Sequence, residues 1–147
     1  MRLRQAQRKG ATLVECAFVY PVLLLLLFGL IVGGLGIFRY HQVAHLAREA
    51  ARYASCHGLD YHRETGNPAA TADSIYQNVV VANAAGLDPN YLGCTVVWDT
   101  SNAPKRVNAD MTVTTNVVEV TVSYQWLPEL YFGGVTLTSK SKMPMSY

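Results

Sequence analysis

The sequence predicts an α+β protein. A long N-terminal helix, with a transmembrane half and an extramembrane half, packs on a small head holding a second helix and about three antiparallel strands. Three observations predict this. Residues 16–38 form a run of 23 residues without a charge. Beyond it, apolar positions recur at helical spacing as far as residue 56, and again over residues 69–85. From Cys94 onward the apolar period falls to two, the repeat of a strand buried on one face.

The apolar run decides the organisation. At 1.5 Å per residue it reaches about 35 Å as a helix, enough to cross a hydrocarbon core of about 30 Å. It is too long for a secretory h-region of about 7–15 residues and lacks an Ala-x-Ala site at its end. No second run of this kind occurs, so one crossing is expected. Arg2, Arg4, Arg8 and Lys9 precede it without an acid among them, whereas Arg39 alone follows closely before Arg48. Basic residues are retained on the cytoplasmic side, so the N-terminus is expected inside and residues 40–147 outside. The chain then reads as a basic leader at 1–10, a transmembrane half-helix at 11–38, an extramembrane half-helix at 39–56 and an exported head at 57–147.

Charge narrows the function classes. The 12 Lys and Arg residues against 10 acids give a formal +2, but four of the bases lie in the leader. Without it, 8 bases face 10 acids, a formal −2. Neither that balance nor any aromatic-basic interleaving fits nucleic-acid binding. No nucleophile–base pair, phosphate loop or metal-ligand spacing occurs, so neither an enzyme nor a cofactor is expected. His41, His45 and Glu49 are spaced i, i+4, i+8, a geometry that can meet zinc. Three ligands on one helix without a further partner read instead as a solvated face. His57 beside Cys56 reads as a surface histidine next to a packed or bridged cysteine, not as a redox pair.

The elements follow in order. After Phe38, Val43, Leu46, Ala47, Ala50, Ala51 and Ala54 mark a buried face, with Gln42, His45, Glu49 and Arg52 opposite and Glu49–Arg52 as an i,i+3 pair. Pro21 removes a backbone donor and should kink the membrane half. Gly58 is a plausible stop, and residues 57–68 read as a polar connection. The second helix spans about 69–85, with Ile75, Val79, Ala82 and Ala85 as its stripe and Gly86 as C-cap. Cys94, Val96 and Trp98 point one way on the first strand. Residues 100–115 read as a mobile connection, and residues 117–126 as the clearest strand, with Val118, Val120, Val122, Tyr124 and Trp126 inward. Residues 127–134 turn the chain. In a last strand at 135–145, Val135, Leu137, Met143 and Met145 face in, while Thr136, Thr138, Lys140 and Lys142 face water, the two lysines suiting an edge.

Two further sets of residues are candidates for function. Gly29, Gly33 and Gly36 place small residues on roughly one helix face, which lets helix backbones approach closely in lipid; the alternative is that glycine is simply common in such spans. Cys56 and Cys94 both fall in the exported part, where oxidation is possible. A bridge between them would close a loop of about 38 residues and contribute roughly 4 kcal/mol in the chain-entropy model. The alternative is two buried free thiols.

Lys9-Gly10-Ala11-Thr12-Leu13-Val14-Glu15 leads directly into the apolar run, and an acid at the mouth of a membrane helix is costly enough to need a reason. The junction resembles the processing site of type IV-class prepilins. With Pro21-Val22-Leu23-Leu24-Leu25, Gly29 and Ala47-Arg48-Glu49-Ala50-Ala51-Arg52-Tyr53-Ala54, it resembles the TadE-like family, minor pilins or pseudopilins of the tight-adherence (Flp) pilus. Val120-Thr121-Val122-Ser123-Tyr124 and Thr136-Leu137-Thr138 are similar to the family's C-terminal strands. Cys16 departs from the pattern, standing where an aromatic residue is usual. The resemblance implies a prepilin peptidase cutting between Gly10 and Ala11, with Glu15 pairing with the new Ala11 amine of its own or a neighbouring subunit. It implies assembly through the N-terminal helix with other pilin subunits and an assembly platform, from the inner membrane and with possible incorporation in an extracellular pilus. The alternative is a single-pass anchored envelope binding module that takes no part in a polymer.

Overall fold

The computed structural model describes residues 9–128 and 133–147. The leader charges Arg2, Arg4 and Arg8 lie outside the described residues, as does the middle of the expected turn at 127–134. The elements are α1 (Lys9–Cys56), α2 (Leu59–Thr65), α3 (Ala72–Ile75), β1 (Leu92–Trp98), β2 (Lys105–Val107), β3 (Val113–Thr115), β4 (Val117–Trp126) and β5 (Val135–Pro144). The class is α+β with antiparallel strands, as the periodicities predict. The chain divides into two compact units, with the boundary between Gly36 and Ile37.

In the first unit every residue is helical from Lys9 onward, and Pro21 is accommodated inside α1. Its 18-residue apolar window has a mean hydropathy of 2.6 and buries nothing within the chain.

In the second unit a three-stranded sheet of order β1-β4-β5 carries the core. Residue pairing follows Val96↔Val120↔Ser141 through the centre. Because side chains alternate across a strand, Val118, Val120, Val122 and Tyr124 all face inward and are buried. Against them lie Val43, Leu46, Ala47, Ala50, Ala51 and Ala54 of α1, with Ile75, Val79 and Val80, in one buried cluster. Alanine's small side chain lets the helix backbone come close to the sheet, and Ala is also the best helix former. The sheet's other face is polar, and Glu119 there pairs with both Lys140 (3.1 Å) and Lys142 (2.9 Å).

Four expectations need correction. The connection at 57–68 contains a short helix, α2, which ends in Gly66 at φ 73. The second helix starts later, at Ala72, behind a reciprocal capping box between Thr71 and Ser74. It then widens into a π-helical stretch, Tyr76–Val81, which buries the consecutive Val79 and Val80. A regular α-helix rotates successive residues by about 100°, and the wider turn offsets that spread. The segment 100–115 is not a structureless connection: β2 and β3 pair antiparallel, with Val107 opposite Val113. Finally, Val135 is exposed, because it lies opposite Trp126 at the end of the ladder. Leu137, Met143 and Met145 do face in.

Candidate functional site

The sequence concentrates its candidates on α1, and the two units treat that helix differently. In the first unit Gly10 and Glu15 are exposed and Cys16 is half-buried. Gly29 and Gly33 are exposed and Gly36 half-buried. A Cβ placed on Gly10, Gly29 or Gly33 would meet nothing within 4 Å. These glycines therefore relieve no crowding inside the chain. With a separation of four and then three residues, Gly29, Gly33 and Gly36 share one helix face. Around them Phe18 is 74% exposed, Leu25 75% and Leu30 73%. Contiguous apolar surface of this extent is covered by lipid or by another chain in a stable state.

In the second unit the same helix is held at both ends. Near the boundary, the Arg39 guanidinium donates to the Gly86 carbonyl at 2.5 Å and to Gln42 Oε1 at 3.2 Å. Gln42 Nε2 donates to the Ala85 carbonyl at 3.0 Å. Gly86 can present that carbonyl because it sits at φ 74, a conformation natural to glycine. Each donor meets a carbonyl of the turn that follows the π-helical stretch, so that turn's backbone is tied to α1. At the far end, Ser55 Oγ donates to the Pro144 carbonyl at 2.6 Å, and the Ser146 amide donates to the Ser55 carbonyl at 2.9 Å. Asn116, wholly buried, ties the sheet to the loop before β2. Its Oδ1 accepts from the Val117 amide at 3.0 Å and its Nδ2 donates to the Ser101 carbonyl.

The sequence reading missed Arg39, Gln42, Ser55 and Asn116 as anchoring residues. Gln42 reads as part of the face opposite the buried stripe, yet it is half-buried against the loop. A polar residue one turn before a buried stripe was the available signal. The expected Glu49–Arg52 pair is absent: among the described residues, no ion pair joins them. His41 and His45 are exposed on α1.

The proposed bridge between Cys56 and Cys94 is not formed, and both are free thiols. Cys56 is exposed at the end of α1, whereas Cys94 packs beside the core on β1, so the two thiols sit in unlike settings. Burial pushes the Cys94 thiol above its ordinary value of 9.0. His57 stacks on the Tyr53 ring, with centroids 3.9 Å apart, and leans on Tyr61 at 4.6 Å. Its Nδ1 lies 2.9 Å from the Tyr53 carbonyl, a hydrogen bond that fixes the ring on the helix end.

Residues 10–52 match the TadE-like protein family. The match covers the junction at Gly10, the apolar run and most of the alanine-rich face. The match ends within α1, before the strands begin. No curated protein and no solved structure matches the chain.

Proposed function

We propose that the chain is a minor pilin or pseudopilin serving the biogenesis of a tight-adherence pilus. It is a structural subunit and catalyses nothing. The observation carrying this reading is the contrast along α1: residues 12–36 expose apolar side chains, while residues 43–54 are locked into a folded head. A helix so divided suits a subunit that stacks through one half and displays a head with the other.

In this reading the leader's Arg2, Arg4, Arg8 and Lys9 hold the N-terminus in the cytoplasm, and the head lies outside the inner membrane. A prepilin peptidase cuts after Gly10. The absence of a side chain there leaves the scissile bond open to a protease. The freed Ala11 amine supplies a cation for Glu15, which would otherwise be an unpaired carboxylate in lipid. Gly29, Gly33 and Gly36 form the face along which a neighbouring helix approaches. The partners are the peptidase, other pilin or pseudopilin subunits, the assembly platform and membrane lipid.

Mass spectrometry of the N-terminus tests this. With the cognate peptidase present, the mature chain should begin at Ala11, and Gly10→Leu should leave the leader attached and abolish pilus production. A chain that keeps Met1 beside an active peptidase, or Gly10→Leu cells with normal pili, would overturn the proposal. Either result would leave a membrane-anchored binding module.

A further inference from the structure

The β2–β3 hairpin carries an apolar tip that the head itself leaves uncovered. Val107 is 70% exposed, Met111 86% and Val113 61%, and the two valines pair directly across the strands. The tip is also fixed in shape. The Asn108 amide donates to the Thr112 carbonyl at 2.9 Å, the Met111 amide to the Asn108 carbonyl at 3.0 Å, and the Thr112 amide to Asp110 Oδ1 at 3.1 Å. Met111 sits at φ 63, the one non-glycine residue with positive φ among those described. A bulky side chain in that region is uncommon and aims it out of the turn. An ion pair between Arg106 and Asp99 braces the base of the hairpin.

The same head has a groove elsewhere on its surface. It lies between the last turns of α1 and the π-helical stretch, with a volume of about 380 Å³. Tyr53, Val79 and Cys56 line it together with the polar Glu49, Arg52 and Asn78, among others. That volume is at the low end of the roughly 300–1,000 Å³ of small-molecule sites, and suits a few side chains better than a cofactor. π-helical turns recur at functional positions, and this one forms a wall of the groove. Glu49 and Arg52 make no ion pair with each other or with another described residue.

The geometry points to a contact between copies of this chain, in which the Val107–Met111–Val113 tip of one head seats in the Glu49–Arg52–Tyr53–Val79 groove of another. The charges agree in sign: Asp110 stands beside Met111 and meets Arg52, while Lys105 at the hairpin base meets Glu49. A lipid surface is the weaker occupant, because Asp110 would have to enter the headgroup layer with Met111, and a carboxylate resists desolvation. The contact joins two different patches, so each copy keeps one tip and one groove free for a further neighbour. This inference rests on the assembly role proposed above and names one contact through which it works.

Cys56 lines the groove and is exposed, which makes the test direct. Two differently tagged full-length copies are expressed together in membranes with the pilus machinery. One carries Met111→Cys with Cys56→Ser; the other is unaltered. A short bis-maleimide, which adds one thiol to each of its rings, should join the two tags. The crosslink should be lost when the second copy also carries Cys56→Ser, or when the cysteine is placed at exposed Glu64 in place of Met111. Arg52→Asp in the groove copy should weaken it, and Asp110→Arg in the tip copy should restore it. No crosslink between the tags, or a crosslink only to a protein of another mass, overturns the inference. The two proposals fail separately. Crosslinked chains with an unprocessed N-terminus and no pili refute the assembly role alone. Mature chains in normal pili without the crosslink refute only this contact.

Discussion

Helix α1 lives in two surroundings, and the comparison separates what a helix needs from what a fold needs. Between Thr12 and Gly36 most side chains are long and apolar, yet they lie exposed within the chain. Between Ile37 and Cys56 the buried residues are mostly alanines, small and modest in hydrophobic area, yet they are wholly buried. Hydrophobic area alone therefore does not say where the core is. The first stretch satisfies its backbone by itself and draws stability from whatever covers it, as spans in lipid must. The second draws stability from close approach to a sheet, where small side chains are an advantage.

The sharpest way to break this comparison is to shorten one leucine in each stretch. Leu46 is 2% exposed inside the cluster, and Leu46→Ala should cost about 2–5 kcal/mol through lost transfer energy and the cavity left behind. Leu26 is 66% exposed within the chain, and Leu26→Ala should leave head unfolding unchanged. Near-ultraviolet circular dichroism of the full chain in detergent, followed on heating, measures both. If Leu26→Ala lowered the head's midpoint as much as Leu46→Ala, the two stretches would share one cooperative core, and the distinction between them would fail.

A smaller effect tests what the second stretch has and the first lacks, namely buried polar anchoring. Asn116→Ala removes the acceptor for the Val117 amide and the donor to the Ser101 carbonyl. An unsatisfied buried group costs about 1–3 kcal/mol. The substitution should also loosen the hairpin base, because Asn116 Nδ2 no longer holds the Ser101 carbonyl in the loop that leads into β2. Hydrogen exchange should rise first at residues 104–116, ahead of β4. Uniform acceleration over the whole sheet would show Asn116 to be part of the global core and not a local tie.

Much of this architecture was legible from residue spacing, and the failures share one cause. Strand β4 was bounded correctly at 117–126 because a central strand buried on one face must alternate, and Val118 to Trp126 does so without a break. The alanine face of α1 was legible because helical spacing persists beyond the apolar run. The hairpin β2–β3 was not, since its pairing rests on backbone bonds and on Asn108, Asp110 and Thr112 side chains binding their own loop, which leave no apolar period. The π-helical stretch was not legible because a regular helix and a widened one share nearly the same apolar stripe, and only the burial of Val80 beside Val79 separates them. Arg39 reads only as a charge beyond the apolar run, and Gln42 as part of the face opposite the buried stripe, because their partners are the carbonyls of Gly86 and Ala85, more than 40 residues away. Spacing reports which side a residue faces, and it is silent on a distant backbone acceptor. At the candidate site, the junction from Gly10 to Glu15 was legible as a motif, whereas the groove beside Cys56 required two elements to be brought together.

The smallest effect is expected where charges meet only at the surface. On the polar face of the sheet, Glu119 lies between Lys142 and Lys140, and hydrogen bonds from these two ammonium groups, Lys142 first, hold its carboxyl below the ordinary 4.5. A carboxyl whose folded pKa is depressed adds stability above its unfolded value and loses it as pH falls through the folded value. Glu119→Gln should therefore leave the melting temperature almost unchanged at pH 7, because exposed ion pairs are weak and screened by salt. It should flatten the acid limb of the stability profile below about pH 4.5, where the parent alone still has a proton to take up. The first stretch of α1 offers no comparable network: it has Glu15 alone between Gly10 and Phe38. Added salt should thus shrink the difference between Glu119→Gln and the parent while leaving the Leu46→Ala deficit in place. If the Glu119 effect proved as large as that of Leu46 and insensitive to salt, the outer face of the sheet would be a buried surface, and the sheet's two faces would have to be reassigned.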